Sequence, residues 1–243
     1  MTFMREVWKN IVACVPPETL ETTINYSVIR HTAELRRPPR MLSDVKKHEY
    51  FREISEYLGS DQPILFLEFG VHKGSSIRRW RELNSHEDSR FVGFDSFVGL
   101  PHRWRKRPEG YFDVQGAEPQ IDDDRVSFVK GWFNDTLPAW LSENLSDLIR
   151  TRRLVVHLDA DLYHSGLFIL TELHHAVPEY ALMLDNYSGG EARALRDYLR
   201  AYGATFEAIN GRKRRRVSAI PGQVFGIING SPASNAKLEA PAG

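Results

Sequence analysis

Cysteine is almost missing from this chain. One residue in 243, Cys14, excludes an intramolecular disulfide and a cysteine-based zinc site, and it suits a reducing compartment. Net charge is missing too. The 32 basic and 32 acidic side chains give a formal charge of +0, so no global field draws the chain to nucleic acid or to an anionic membrane. No run of 18 or more apolar residues occurs, so no membrane-spanning helix is expected. The opening MTFMREVWKNIVACVPP has a short amphipathic pattern without the apolar core of a secretory signal, and a cytoplasmic protein is expected. Internal repeats are absent. So are the G-x-G-x-x-G of dinucleotide folds and the P-loop with its Lys-Ser/Thr.

What is there reads as an ordinary globular protein, 42% hydrophobic and 26% charged, long enough for one large α/β domain with a short extension. Three helical patterns come first: one near residues 3–14, one after Pro16-Pro17 with Leu20, Ile24 and Val28, and one capped by Ser43 with a buried stripe of Phe51, Ile54, Tyr57 and Leu58. RRPPR (36–40) breaks the chain between the last two. From residue 64 apolar runs alternate with helical stretches. The runs are ILFLEF (64–69), FVGFD (91–95), VSFVK (126–130), LVVHLD (154–159) and YALMLD (180–185); the helices lie at 75–84, 136–149, 165–176 and 190–202. Alternation of this kind argues for a parallel sheet covered on both faces. TFEAI (205–209) and QVFGII (223–228) read as an antiparallel pair. The expected fold is therefore α/β, Rossmann-like, with a mostly parallel seven-stranded sheet, an antiparallel C-terminal pair and helices on both faces. Residues 1–60 are expected to form a helical extension serving as lid or dimer contact, 61–229 the main domain, and 230–243 a disordered tail.

Ligands of open parallel sheets bind beyond the carboxyl ends of the strands. Four acids stand at such ends: Glu68, Asp95, Asp159 and Asp185. In LEFGVHKGSSI (67–77), Gly70 allows a tight turn and Gly74 a close backbone approach, while Ser75 and Ser76 open a helix whose N-terminus favours an anionic group. Asp95 follows Gly74 by 95 − 74 = 21 residues and ends the next strand, where a carboxylate can accept the hydroxyls of a ribose. Turn and acid together describe a site for a nucleoside whose attached group need not be a pyrophosphate.

Five stretches in order, E-F-G-V-x-x-G-S-S, FDSFVGLP (94–101), VKGWFNDTLP (129–138), HLDADLYHS (157–165) and LDNY (184–187), resemble the class I S-adenosylmethionine-dependent methyltransferases, closest to the macrocin O-methyltransferase-like branch. The resemblance covers roughly residues 60 to 210. It implies an O-methyltransferase acting on a hydroxyl of a sugar or natural-product small molecule. It also implies that Glu68, Gly70, Val71 and Gly74 shape the pocket for the methionine part of the cofactor, that Ser75 and Ser76 hold its carboxylate, that Asp95 with Ser96 binds the ribose, and that Gly131 and Trp132 lie near the adenine. Asp159 would also touch the cofactor. Asp159 and Asp185 would hold a divalent metal, with Mg²⁺ suited to such oxygen ligands. Asn186 stands where the family often has a second acid. Asp161 would support Asp159 or cap a helix.

Among the histidines, His164 is the candidate base, His157 a buried structural residue, and His72 a group within the glycine turn. The long loop 96–124, with HRWRKR (102–107), is expected to close over the acceptor. Two other readings stand beside this one. A nicotinamide-dependent sugar oxidoreductase is disfavoured by the glycine spacing and by the lack of a Tyr-x-x-x-Lys pair. A nucleic-acid or partner-binding protein would use GRKRRR (211–216), but zero net charge and no interleaved aromatics argue against nucleic acid. A homo-oligomer is compatible with all of these.

Overall fold

The computed structural model describes residues 13–32, 35, 38–43, 45–213 and 220–230. Most of the helical pattern at 3–14, the tail beyond residue 230 and residues 214–216 of the basic run lie outside these residues. The elements in order are α1 (Pro17–His31), β1 (Arg40–Leu42), α2 (Lys47–Leu58), β2 (Ile64–Phe69), α3 (Ser75–Leu83), β3 (Arg90–Asp95), β4 (Val126–Lys130), α4 (Phe133–Trp140), β5 (Arg153–Leu158), α5 (Tyr163–Ala176), β6 (Glu179–Leu184), α6 (Gly190–Tyr202), β7 (Thr205–Arg212) and β8 (Gln223–Asn229). A π-helical turn, Leu141–Leu145, carries α4 on to Leu148. Among the described residues no helix is long and apolar enough to cross a membrane.

The strands form one sheet in the order β1-β7-β8-β6-β5-β2-β3-β4. Strands β2 to β6 run parallel, and β8 enters antiparallel between β6 and β7. Among the described residues the sheet has eight strands rather than the expected seven. The extra one, β1, is the three-residue piece Arg40–Leu42 just after Pro39, which pairs with β7 at the edge. Three residues are too few to show a period, so tertiary pairing alone defines it.

Every residue of β2 is buried, which explains its unbroken apolar run. Leu65, Leu67 and Phe69 point to the face covered by α4, α5 and α6, where Leu137, Ile169, Leu173, Leu195 and Tyr198 pack. Ile64 and Phe66 point to the other face, covered by α2 and α3 through Phe51, Ile54, Leu58, Ile77 and Trp80. Two details of α2 differ from expectation. It begins at Lys47 behind Lys46, whose N–H is accepted by the Glu49 carboxylate at 2.7 Å, so Ser43 is not its cap. Tyr57 is not part of the stripe. It is 49% exposed and meets the Phe225 ring edge-on at 5.5 Å from the rim of the helix face, while Tyr50 takes the buried position.

Candidate active site

The strand order runs outward in opposite directions from the β2–β5 pair. That switch point leaves a crevice beyond the strand ends, because the connections from β2 and β5 cross to opposite faces. A cavity of about 560 Å³ opens there. Gly70, Val71, Ser75, Ser76, Asp95, Ser96, Gly131, Trp132, Asp159 and His164 of the expected set all line it. Trp132 is 38% exposed on this wall, so it is not a core aromatic. His72 lines the wall as well.

Glu68 and Gly74 stand behind the wall. Glu68 is 1% exposed and bonds His157, Oε1 to Nδ1 at 3.0 Å. Gly74 is the residue before α3, in the left-handed conformation at φ 74°. The Asp95 carboxylate is engaged with the main chain. Its Oδ2 accepts the N–H groups of Val71 and His72 and its Oδ1 that of Phe97, each at 2.8 Å. A carboxylate offers about four acceptor positions, so roughly one remains for a ligand, fewer than a bidentate grip on two ribose hydroxyls needs. Asp95 therefore also shapes the glycine turn.

A second cavity, about 760 Å³, adjoins the first. Thr19, Thr22 and Tyr26 of α1 and Trp104 to Arg107 of the long loop line it, together with Asp185 and Asn186. Phe112, Asp159 and Asp161 line both cavities. The loop is stiffened by stacking: the Arg107 guanidinium lies 4.7 to 4.9 Å from the ring centres of Trp104, Tyr111 and Phe112.

Charges converge below that junction. Asp185 Oδ1 lies 2.8 Å from Lys47 Nζ and 3.6 Å from His157 Nε2, and it accepts a hydrogen bond from the Gln223 side-chain amide. Lys47 Nζ is also 3.5 Å from Asp159 Oδ2. Burial works against the charged form of Lys47, but Asp159 and Asp185 outweigh it and raise its pKa. Burial, then the charge of Asp185, pushes Asp159 up to about 6. Burial also disfavours the imidazolium of His157, yet its bonds to Asp185 and Glu68 prevail and hold it at about 9. A folded-state pKa above the ordinary 6.5 means that His157 contributes its full stability below pH 6.5 and loses it as pH rises through about 9. Denaturant titrations of the protein and of His157→Gln should therefore converge over that window; a gap that stays constant contradicts the charged assignment.

Ligand atoms of His157, Asp159 and Asp185 lie within 4.8 Å of one another, close enough to share one ion. Asn186 does not face this group. Its side-chain amide donates to Asp161 Oδ1, and its N–H goes to Glu191 Oε2 at 2.8 Å. Glu191 also accepts the N–H of Asp161 at 3.3 Å, and burial raises its pKa well above the ordinary value. The sequence reading missed Glu191, Lys47 and Gln223. Only Glu191 left a signal, an acid just inside a helix after Gly189-Gly190. Arg212 of the basic run is structural, donating to Val45 O and Gln223 Oε1 at 2.7 Å each.

This geometry sits beside clear similarities to known proteins. A family model, macrocin-O-methyltransferase (TylF), matches residues 111–209. The 8-demethyl-8-(2,3-dimethoxy-α-L-rhamnosyl)-tetracenomycin-C 4′-O-methyltransferase of Streptomyces olivaceus is 36% identical over 173 residues, which cover 62% of this chain and 63% of that protein. The chain thus spans under two thirds of the length of that curated relative. Among solved structures, the O-methyltransferase NovP superposes with a TM-score of 0.54 at 22% identity, covering 74% of this chain and 78% of NovP, a likeness of fold. The matched segment runs from the long loop through β4, β5 and β6 to β7, and over it the chain is similar to the macrocin O-methyltransferases.

Proposed function

We propose that this chain is an S-adenosylmethionine-dependent O-methyltransferase that methylates a hydroxyl of a sugar carried by a natural product. The observation that carries the reading is the pair of cavities meeting at Phe112, Asp159 and Asp161 over the β2–β5 switch point. One cavity has the lining expected for the donor, and the other opens to the acceptor. When bound, S-adenosylmethionine supplies a methyl group on a sulfonium centre that departs as a neutral thioether. The glycine turn and the first amides of α3 hold the carboxylate of its methionine part. Asp95 takes a ribose hydroxyl, and Trp132 borders the base. The loop 96–124 and α1 hold the acceptor and exclude water. Alignment of the acceptor oxygen with the methyl group supplies much of the rate.

The acceptor hydroxyl must lose its proton as the new O–C bond forms. Asp159 and Asp161 at the junction are the carboxylates in reach of both cavities. His164 lines the donor cavity alone, packed edge-to-face on His102 at 5.3 Å, which argues against it as the proton acceptor. A divalent ion fits the donor set. Asp159 and Asp185 are hard oxygen donors that already converge on a cation, the Lys47 ammonium. These two residues would hold the ion, and its charge would stabilise the developing alkoxide; Asn186, expected beside them, is turned to Asp161 instead.

The Streptomyces olivaceus relative, a 4′-O-methyltransferase of a rhamnosyl tetracenomycin, supports a rhamnosyl natural product as the acceptor class. A panel of aryl rhamnosides tests this: turnover is expected where the 4-hydroxyl is free and lost where it is blocked. Binding is tested by calorimetry with S-adenosylhomocysteine and NAD. Only the first should bind, and Asp95→Ala should weaken it by about 1.5–3 kcal/mol, the range for a charged hydrogen bond together with a loosened turn. Unchanged affinity in that variant removes Asp95 from the site. NAD binding alone favours the oxidoreductase.

A further inference from the structure

The carboxylate pair carries its own cation. Lys47 is the first residue of α2, and that helix is fixed to the sheet by Phe51, Ile54 and Leu58. Its ammonium reaches Asp185 at 2.8 Å and Asp159 at 3.5 Å, and it lies 5.3 Å from the centre of the Phe51 ring. Asp159 and Asp185 are also the two carboxylates of the group, with His157, whose ligand atoms lie within 4.8 Å of one another. Neighbouring cations already crowd the spot: His157 faces Asp185 from inside the sheet, and Lys47 closes it from α2. An ammonium and a divalent ion cannot share the same oxygens at contact distance without strong repulsion, and a buried setting weakens the screening.

We propose that Lys47 is a built-in counter-cation, which holds Asp159 and Asp185 together when no metal is bound and must swing away for a divalent ion to enter. The inference rests on reading this pair as the acceptor-activating site, and it goes beyond that reading. Metal affinity is set by a residue of the N-terminal helices as well as by the ligands. The alkyl stem of Lys47 is long and its side chain is 36% exposed, so it has room to leave toward solvent. Loss of both carboxylate contacts also removes the tie between α2 and the ends of β5 and β6. Metal entry would then loosen the start of α2 beside the acceptor cavity.

Mn²⁺ is the probe. Calorimetry of the full chain, without acceptor, compares the native protein with Lys47→Met, which keeps the length and removes the charge, and Lys47→Arg, which keeps the charge. Lys47→Met should bind Mn²⁺ at least about tenfold more tightly than the native protein, and Lys47→Arg no more tightly. Lys47→Met should also melt at a lower temperature than native without Mn²⁺ and recover with it. A second measurement uses the native chain alone. Saturating Mn²⁺ should speed acetylation of Lys47 by acetic anhydride, read by mass spectrometry, because the displaced amine loses its carboxylate partners. Equal or weaker Mn²⁺ binding by Lys47→Met, or Mn²⁺ protection of Lys47 from acetylation, overturns the proposal. S-adenosylhomocysteine titrated into the same samples keeps the two questions apart. If it fails to bind the native chain, the methyl-transfer reading falls while the Mn²⁺ comparison still decides the role of Lys47.

Discussion

Asp159→Asn is expected to lower turnover by about 10²- to 10⁴-fold, the range for loss of a group that handles the transferred proton. The side chain stands where the two cavities meet, and among the described residues it is the carboxylate that both lines that junction and contacts Lys47. The amide keeps the volume but loses the charge and the capacity to take a proton. Affinity for S-adenosylhomocysteine should stay within about threefold, since the glycine turn and Asp95 are untouched. Radiolabelled methyl transfer to the best rhamnoside acceptor measures the first quantity and calorimetry the second. Asp185→Asn should act in the same direction, because it weakens the same cation position while still accepting from Gln223. If Asp159→Asn keeps more than about a tenth of native turnover, the carboxylate is not central to the chemistry.

Gly70→Ala is expected to cost about 3–5 kcal/mol of stability, adding the strain of an unfavourable backbone conformation to an overpacked contact. Gly70 has φ +94°, and a Cβ there would lie 2.2 Å from the carbonyl oxygen of Asp159. The obstacle is main chain, so no rotamer relieves it. Closing that gap forces β2 and β5 apart at the floor of the donor cavity. Gly110→Ala is the control. Its φ is +76°, but nothing lies within 4 Å of the added carbon, so it should lose only about 1–2 kcal/mol. Urea titrations of the two variants should differ by at least 1 kcal/mol or so, given the overpacking term at Gly70 alone. Equal losses mean that the close approach at Asp159 does not constrain the site.

The legible features were those decided within a few residues. ILFLEF reads as a strand because β2 is buried on both faces, and the glycine turn reads as a site because Gly70 and Gly74 answer a local backbone need. The acids at strand ends were legible because a strand end fixes where its last side chain stands. What could not be read depends on partners far along the chain. Lys47 meets Asp159 across 112 positions, Gln223 meets Asp185 across 38, and Asn186 turns to Asp161 across 25. No period or motif encodes such meetings. They follow from α2 packing on one face of the sheet and from β8 entering beside β6. Asp95 marks the boundary between the two kinds. Its place was visible, but its three main-chain amides appear only once the turn has folded over it.

The most direct test is a crystal structure of the chain with S-adenosylhomocysteine. The nucleoside is expected in the cavity between Asp95 and Trp132, with one ribose hydroxyl on Asp95, the amino-acid end at the turn 70–76, and the sulfur facing the Asp159–Asp161 junction. A ligand bound elsewhere, or bound there with its sulfur turned away from that junction, contradicts it.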